Sequence, residues 1–290
     1  MSTLTNNLSR HIYHSGILKW LRSDGRHFQI ISQLAFLAFG IFALNWDADW
    51  QKYFAALVGT FSAQALAIHF KVAPSNSLKS ALVTTLGLCL LMKANSPWLF
   101  LFAGLFAVGQ KFLIRVNNKH LWNPANFGIV IMIIISGESW ISPGQWGNSA
   151  LLVFIIGTSG LAVLSNIKRL NIGIVFIASL LILEYCRVVL FLGWDTDVLF
   201  HKIGSGSLWL FALFMITDPM TTPNSRIARI IWAIFIASIS FYLANFHFIN
   251  GAPFWVLFFA TPITPVIDYL TKHKNFSWNT SSTNLNTTTK

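Results

Sequence analysis

Charge is what this chain has least of: 10% of its 290 residues are Asp, Glu, Lys or Arg, where a water-soluble domain carries roughly 25%. With 54% apolar residues, water is excluded as the main solvent. Cysteine is nearly absent too. Cys89 and Cys186 stand in separate apolar runs, with no Cys-x-x-Cys or Cys/His spacing, so neither a disulfide nor a zinc or iron–sulfur site is assigned. The first 27 residues are polar and basic and lack the apolar core of a cleavable leader, so the first apolar run is expected to be retained. No nucleotide loop or catalytic triad is present, so independent enzymatic turnover is not expected. Acidic residues number nine against twenty Lys and Arg, a net charge of +11. In such an apolar chain that excess reports membrane topology and contact with anionic lipid rather than nucleic acid.

What is present is a series of long apolar runs. They fall near 28–45, 53–70, 79–93, 97–114, 124–137, 149–166, 171–193, 206–218, 227–248 and 253–271. They lack the period-two alternation of barrel strands, and backbone groups in lipid must be paired within helices, so the fold expected is all-α and integral to the membrane. Ten spans can be tested by charge, because Lys and Arg gather in cytoplasmic loops. With the N-terminus inside, only Lys52, Lys93, Arg187 and Lys202 fall outside, a split of sixteen to four. Both ends are then expected in the cytoplasm of a bacterial inner membrane. The chain divides into a basic segment 1–27, amphipathic over 9–23, a ten-helix membrane domain 28–271, and a disordered tail 272–290 rich in Ser, Thr and Asn.

Ten spans divide into two halves of five, and an odd number per half inverts the second relative to the first. The third and eighth runs are the short ones, about 15 and 13 residues, in corresponding positions. Short helices so placed point to a central binding site, where helix ends aim backbone dipoles at a ligand.

Few ionisable groups lie at membrane depth, and each needs a partner or a cavity. Glu184 and Arg187 are three apart and can pair on one helix face, as a packing lock or an ion relay. Asp268 lies in the last run and Arg115 at an inner boundary. Asp218 belongs to Thr217-Asp218-Pro219-Met220-Thr221-Thr222-Pro223, where Pro219 ends the helix and Asp and Thr side chains can satisfy the turn. In Trp122-Asn123-Pro124-Ala125-Asn126, Asn123 is expected to cap the fifth helix with Pro124 in its first turn.

Asn123-Pro124-Ala125, Ser205-Gly206, Thr217-Asp218-Pro219 and Pro262-Ile263-Thr264-Pro265-Val266-Ile267-Asp268-Tyr269 together resemble the RnfD/NqrB family, over roughly residues 24–272. That family comprises membrane subunits of ion-translocating electron-transport complexes. The resemblance implies ten helices in two inverted five-helix halves, an architecture similar to urea channels, and partners among other membrane subunits. Family members carry FMN as a phosphoester on the Thr of Ser-Gly-Ala-Thr. Here that stretch reads Ser205-Gly206-Ser207-Leu208, and a leucine forms no such ester, so FMN or riboflavin is expected only without a covalent bond. The site residues expected are Asn123, Asn126, Ser205, Ser207, Thr217, Asp218, Thr221 and Thr222. Two alternatives to a redox-complex subunit are a stand-alone channel or transporter for a small solute, and an accessory membrane protein of a biosynthetic cluster.

Overall fold

The computed structural model describes residues 24–74, 77–117, 119–142, 157 and 170–271. The amphipathic segment 9–23, nearly all of the sixth expected run and the tail from 272 lie outside these residues.

Helix α1, Gly25–Phe42, begins where the Asp24 carboxylate accepts a bond from the Arg26 amide at 3.0 Å, and α2, Trp50–His69, where Asp49 takes the Lys52 amide at 3.2 Å. Both acids complement the free N–H groups of a helix start. Helix α3, Leu78–Leu91, gives way to an extended strand β1, Met92–Ala94. Helix α4, Pro97–Leu113, is followed by a hairpin of β2, Arg115–Val116, and β3, Lys119–His120. Helix α5, Pro124–Ser136, is capped by Asn123 and ends at Gly137, whose φ of 65° suits a residue without Cβ. Strand β4, Ser139–Ile141, then pairs antiparallel with β1. The 14 residues of α3 span about 21 Å, short of a hydrocarbon core of about 30 Å. The three residues of β1 add about 10 Å, and pairing with β4 keeps the backbone bonded there.

In the second half, α6, Leu170–Tyr185, continues as a π-helical turn, Cys186–Phe191. Helix α7, Thr196–Ile203, meets α8, Gly206–Leu210, at a 54° bend, and α8 widens into a π-helical stretch, Phe211–Met215. Helix α9 is Arg226–Phe246, and α10, Ala252–Ala260, runs through a short 3₁₀ turn into α11, Thr264–Thr271. Asn171–Phe191, Arg226–Phe246 and Ala252–Thr271 are long and apolar enough to cross a membrane, and the bent α7–α8 pair makes a fourth.

Burial sorts these helices into layers. Every residue from Thr84 to Met92 and from Leu210 to Thr217 is buried, so α3 and the π-helical end of α8 form the centre. The long helices surround them: within the most apolar window of α6, 22% is buried, and of α9, 28%. Helix α2 packs on α4, α6 on α9, and α5 on α10. Glycine makes the first of these contacts close, because a Cβ on Gly59 would stand 2.1 Å from the Leu101 carbonyl oxygen. Small residues at such seams let backbones approach where lipid supplies no hydrophobic drive. Phe36 of α1 meets Phe214 of α8, joining the two halves through one core.

Side-chain bonds define two ends of the bundle. Lys79 meets Asp24, Lys111 meets Ser80, and Lys119 meets Asp268 at one, the basic end. Arg187 with Asn245, Lys202 with Glu184 and Asn250 with Ile141 mark the other.

Candidate functional site

A cleft of about 140 Å³ opens at the basic end between the two halves. Its walls are Gln29 and Gln33 of α1, the buried face of α3, Asn123–Ala125, and Leu210–Met220 at the end of α8. Arg26, Ser80, Lys111, His120 and Asp218 supply the polar groups, and Leu90, Leu91, Leu213 and Phe214 the apolar ones.

Asp218 is fixed by the turn that Pro219 imposes. Its Oδ1 accepts the Met220 amide at 3.0 Å, and its backbone oxygen accepts the Thr222 hydroxyl at 3.0 Å. Thr217 bonds back to the Leu213 carbonyl at 2.7 Å, closing the end of the π-helical stretch. That leaves Oδ2 facing the first half of the chain. It accepts from Asn123 Nδ2 at 3.2 Å, and His120 Nε2 stands 3.6 Å away. Asn123 therefore does two things: its oxygen caps α5 through the Asn126 amide at 3.2 Å, and its nitrogen holds Asp218. The Asp218 and His120 side chains are 15% and 12% exposed, so they meet water only at the cleft mouth.

Beside the cleft the halves are clasped. Lys119 donates to Asp268 Oδ2 at 2.8 Å, to the Thr222 carbonyl at 2.9 Å and to Asn224 Oδ1 at 3.3 Å. The other Asp268 oxygen accepts the Asn224 amide at 2.7 Å, and Thr264 donates to the Thr221 carbonyl at 3.1 Å. Asn126 donates to the Phe254 carbonyl at 3.2 Å, while its own oxygen is buried without a hydrogen-bond partner.

The expected site residues therefore separate. Asn123, Thr217 and Asp218 line the cleft, while Thr221, Thr222 and Asp268 belong to the clasp beside it. Asn126 lies behind Asn123, against α10. Ser205 and Ser207 sit at the far end of α8, 2.8 Å apart, and line none of the cleft. Leu208, half-buried nearby, offers no oxygen for a phosphoester. The Glu184–Arg187 pairing needs correction. Glu184 bonds Lys202 at 3.0 Å and Asn245 at 2.6 Å, whereas Arg187 donates to the Asn245 carbonyl and lies 4.3 Å over the Phe246 ring. The reason is the wider turn that starts at Cys186, which rotates Arg187 off the face an α-helix would share with Glu184. Sequence reasoning did not single out His120, Lys111 or Gln33. His120 stands three residues before Asn123, and that proximity was the available signal.

These features define a helical membrane protein whose halves meet around a buried polar cleft. The family model described as the NQR2, RnfD, RnfE family matches residues 135–277, and over that stretch the chain is similar to this family. Similar proteins include the D-type component of the ion-translocating oxidoreductase complex from Vibrio vulnificus strains YJ016 and CMCP6, each 30% identical over 143 residues. The same-named protein of Vibrio cholerae serotype O1 is 29% identical over 143 residues. The match covers 49% of this chain in each case, and 37% of the Vibrio vulnificus proteins or 38% of the Vibrio cholerae one.

Proposed function

We propose that this chain is a membrane subunit of an ion-translocating electron-transport assembly, and that its part is to pass protons through the cleft at Asp218. The observation that carries this is the meeting of Asp218, from one half, with Asn123 and His120, from the other. An acid and an imidazole 3.6 Å apart on the cleft lining can exchange a proton directly after a small approach.

Ten helices in two inverted halves, similar to urea channels, are the architecture proposed. It is supported by equivalent packing in the described residues, α2 on α4 in the first half and α6 on α9 in the second. The partners proposed are the lipid of a bacterial inner membrane, with both termini cytoplasmic, and other membrane subunits. A flavin would be held without a covalent bond, since Leu208 accepts none. The cleft of about 140 Å³ is below the ~300 Å³ at which pockets enclose drug-sized ligands.

The test is proton uptake into proteoliposomes containing the purified assembly, read by a pH-sensitive dye. Asp218→Asn is expected to lower uptake to background while the protein stays folded, and unchanged uptake would overturn the reading. Loss of the attachment hydroxyl at Leu208 favours a second reading, a stand-alone channel for a small solute. Faster urea or riboflavin entry into vesicles holding this chain alone, compared with empty vesicles, would support that one.

A further inference from the structure

Lys111 is 7% exposed, yet it lies on the wall of the cleft. An ammonium carries three donors, and among the described residues Lys111 makes one hydrogen bond, to Ser80 Oγ at 2.8 Å. Its ammonium also lies over the neighbouring Phe112 ring, 5.6 Å from the centroid, a contact that uses no hydrogen-bond donor. Asp218, the carboxylate on the lining, is already held by Asn123 and the Met220 amide, with His120 beside it. A buried cation with unused donors in a cavity is a site waiting for an acceptor.

A second observation comes from α1. Gln33 also lines the cleft, is 5% exposed, and its Oε1 has no hydrogen-bond partner. Its amide nitrogen stands 4.0 Å from where a Cβ on Gly87 would lie, so the missing side chain there keeps room beside it. A half-turn of the amide presents N–H groups instead of oxygen. Farther out is Arg26, whose Nε is held by both Asp24 oxygens at 3.0 and 3.1 Å. The lining thus graduates from a guanidinium anchored by Asp24 to an ammonium with free donors.

We propose that this cleft binds a small oxyanion group, a phosphate being the simplest, held by Lys111 and Ser80 with Gln33 closing over it. The volume of about 140 Å³ suits such a group with a few waters. The same chemistry is offered by free phosphate or phosphate esters in the aqueous phase and by the headgroup of an anionic lipid. The inference does not rest on proton passage.

Thermal unfolding of the purified full chain in neutral detergent and chloride buffer tests it. Inorganic phosphate is expected to raise the midpoint in a saturable way, by several degrees at saturation. Lys111→Met abolishes the shift, Ser80→Ala weakens it, Lys111→Arg keeps part of it, and Lys52→Met at the opposite end leaves it unchanged. A midpoint raised by added phosphatidylglycerol but not by phosphate, and still lost in Lys111→Met, supports the site with a lipid as its occupant. No response to either probe, or an equal response in wild type and Lys111→Met, overturns the proposal. Because no transport is measured, failure here is distinct from failure at Asp218.

Discussion

Two clusters of charge face opposite ends of this bundle. At one, Glu184, Lys202 and Asn245 form a closed ring in which each side chain bonds the other two. All three come from the second half of the chain. At the other, Lys119 with Asp268 and Asn123 with Asp218 join residues 149 and 95 positions apart, one from each half. A cavity lies beside that cluster, and Gln33 and Asn126 hold polar atoms without partners near it. The first cluster completes its own bonds and ties α7 to α6 and α9. The second spans the seam between halves and leaves bonding capacity unused, as expected of a region that must accept something.

Removing Lys119 separates the two most sharply. Its side chain and that of Asp268 are each 10% exposed, so Lys119→Ala strands a buried carboxylate and is expected to cost about 3–5 kcal/mol. Unfolding in detergent would show it, and the double change Lys119→Met with Asp268→Leu should recover much of the loss. Lys202→Ala at the opposite end is expected to cost less, about 1–3 kcal/mol. Lys202 is 37% exposed, and Glu184 keeps its bond from Asn245. Were Lys202→Ala the more damaging, the contrast between a seam and a local lock would be reversed.

The smallest effect concerns Asp24, at the rim of the basic end. Partial burial raises its pKa, but the bonds from Arg26 and the charges of Arg26 and Lys79 outweigh that and hold it below the usual 3.8. Its stabilisation is therefore complete above that value and is lost as pH falls through the lower, folded one. Asp24→Ala should cost about 1 kcal/mol near neutrality and almost nothing below the folded pKa, as read by unfolding across pH.

Helices were legible because lipid demands uninterrupted apolar stretches. The runs near 53–70 and 227–248 coincide with Trp50–His69 and Arg226–Phe246 to within three residues. Three-residue strands leave no periodic trace, so β1 and β4 were invisible, and α7, mixed in polarity, read as a loop. At the site, Asn123 and Asp218 announced themselves through the prolines beside them, which stop or start a helix wherever they stand. Lys111 did not, because a lysine at the end of an apolar run looks like a boundary charge. Only the packing of α3 against its side chain reveals that it is enclosed. Arg187 failed for a subtler reason: helix pitch is assumed in any spacing argument, and here the pitch changes one residue before it.

The same change of pitch over Phe211–Met215 gives α8 a spare residue just above Thr217 and Asp218. Were those five residues to rewind to α-helical pitch, everything beyond them would swivel by about a quarter turn. Asp218 would then leave Asn123 and His120 without any helix unfolding. A backbone holding that slack beside its central carboxylate has a built-in crank, able to couple a small axial slip to the breaking of the contact between halves.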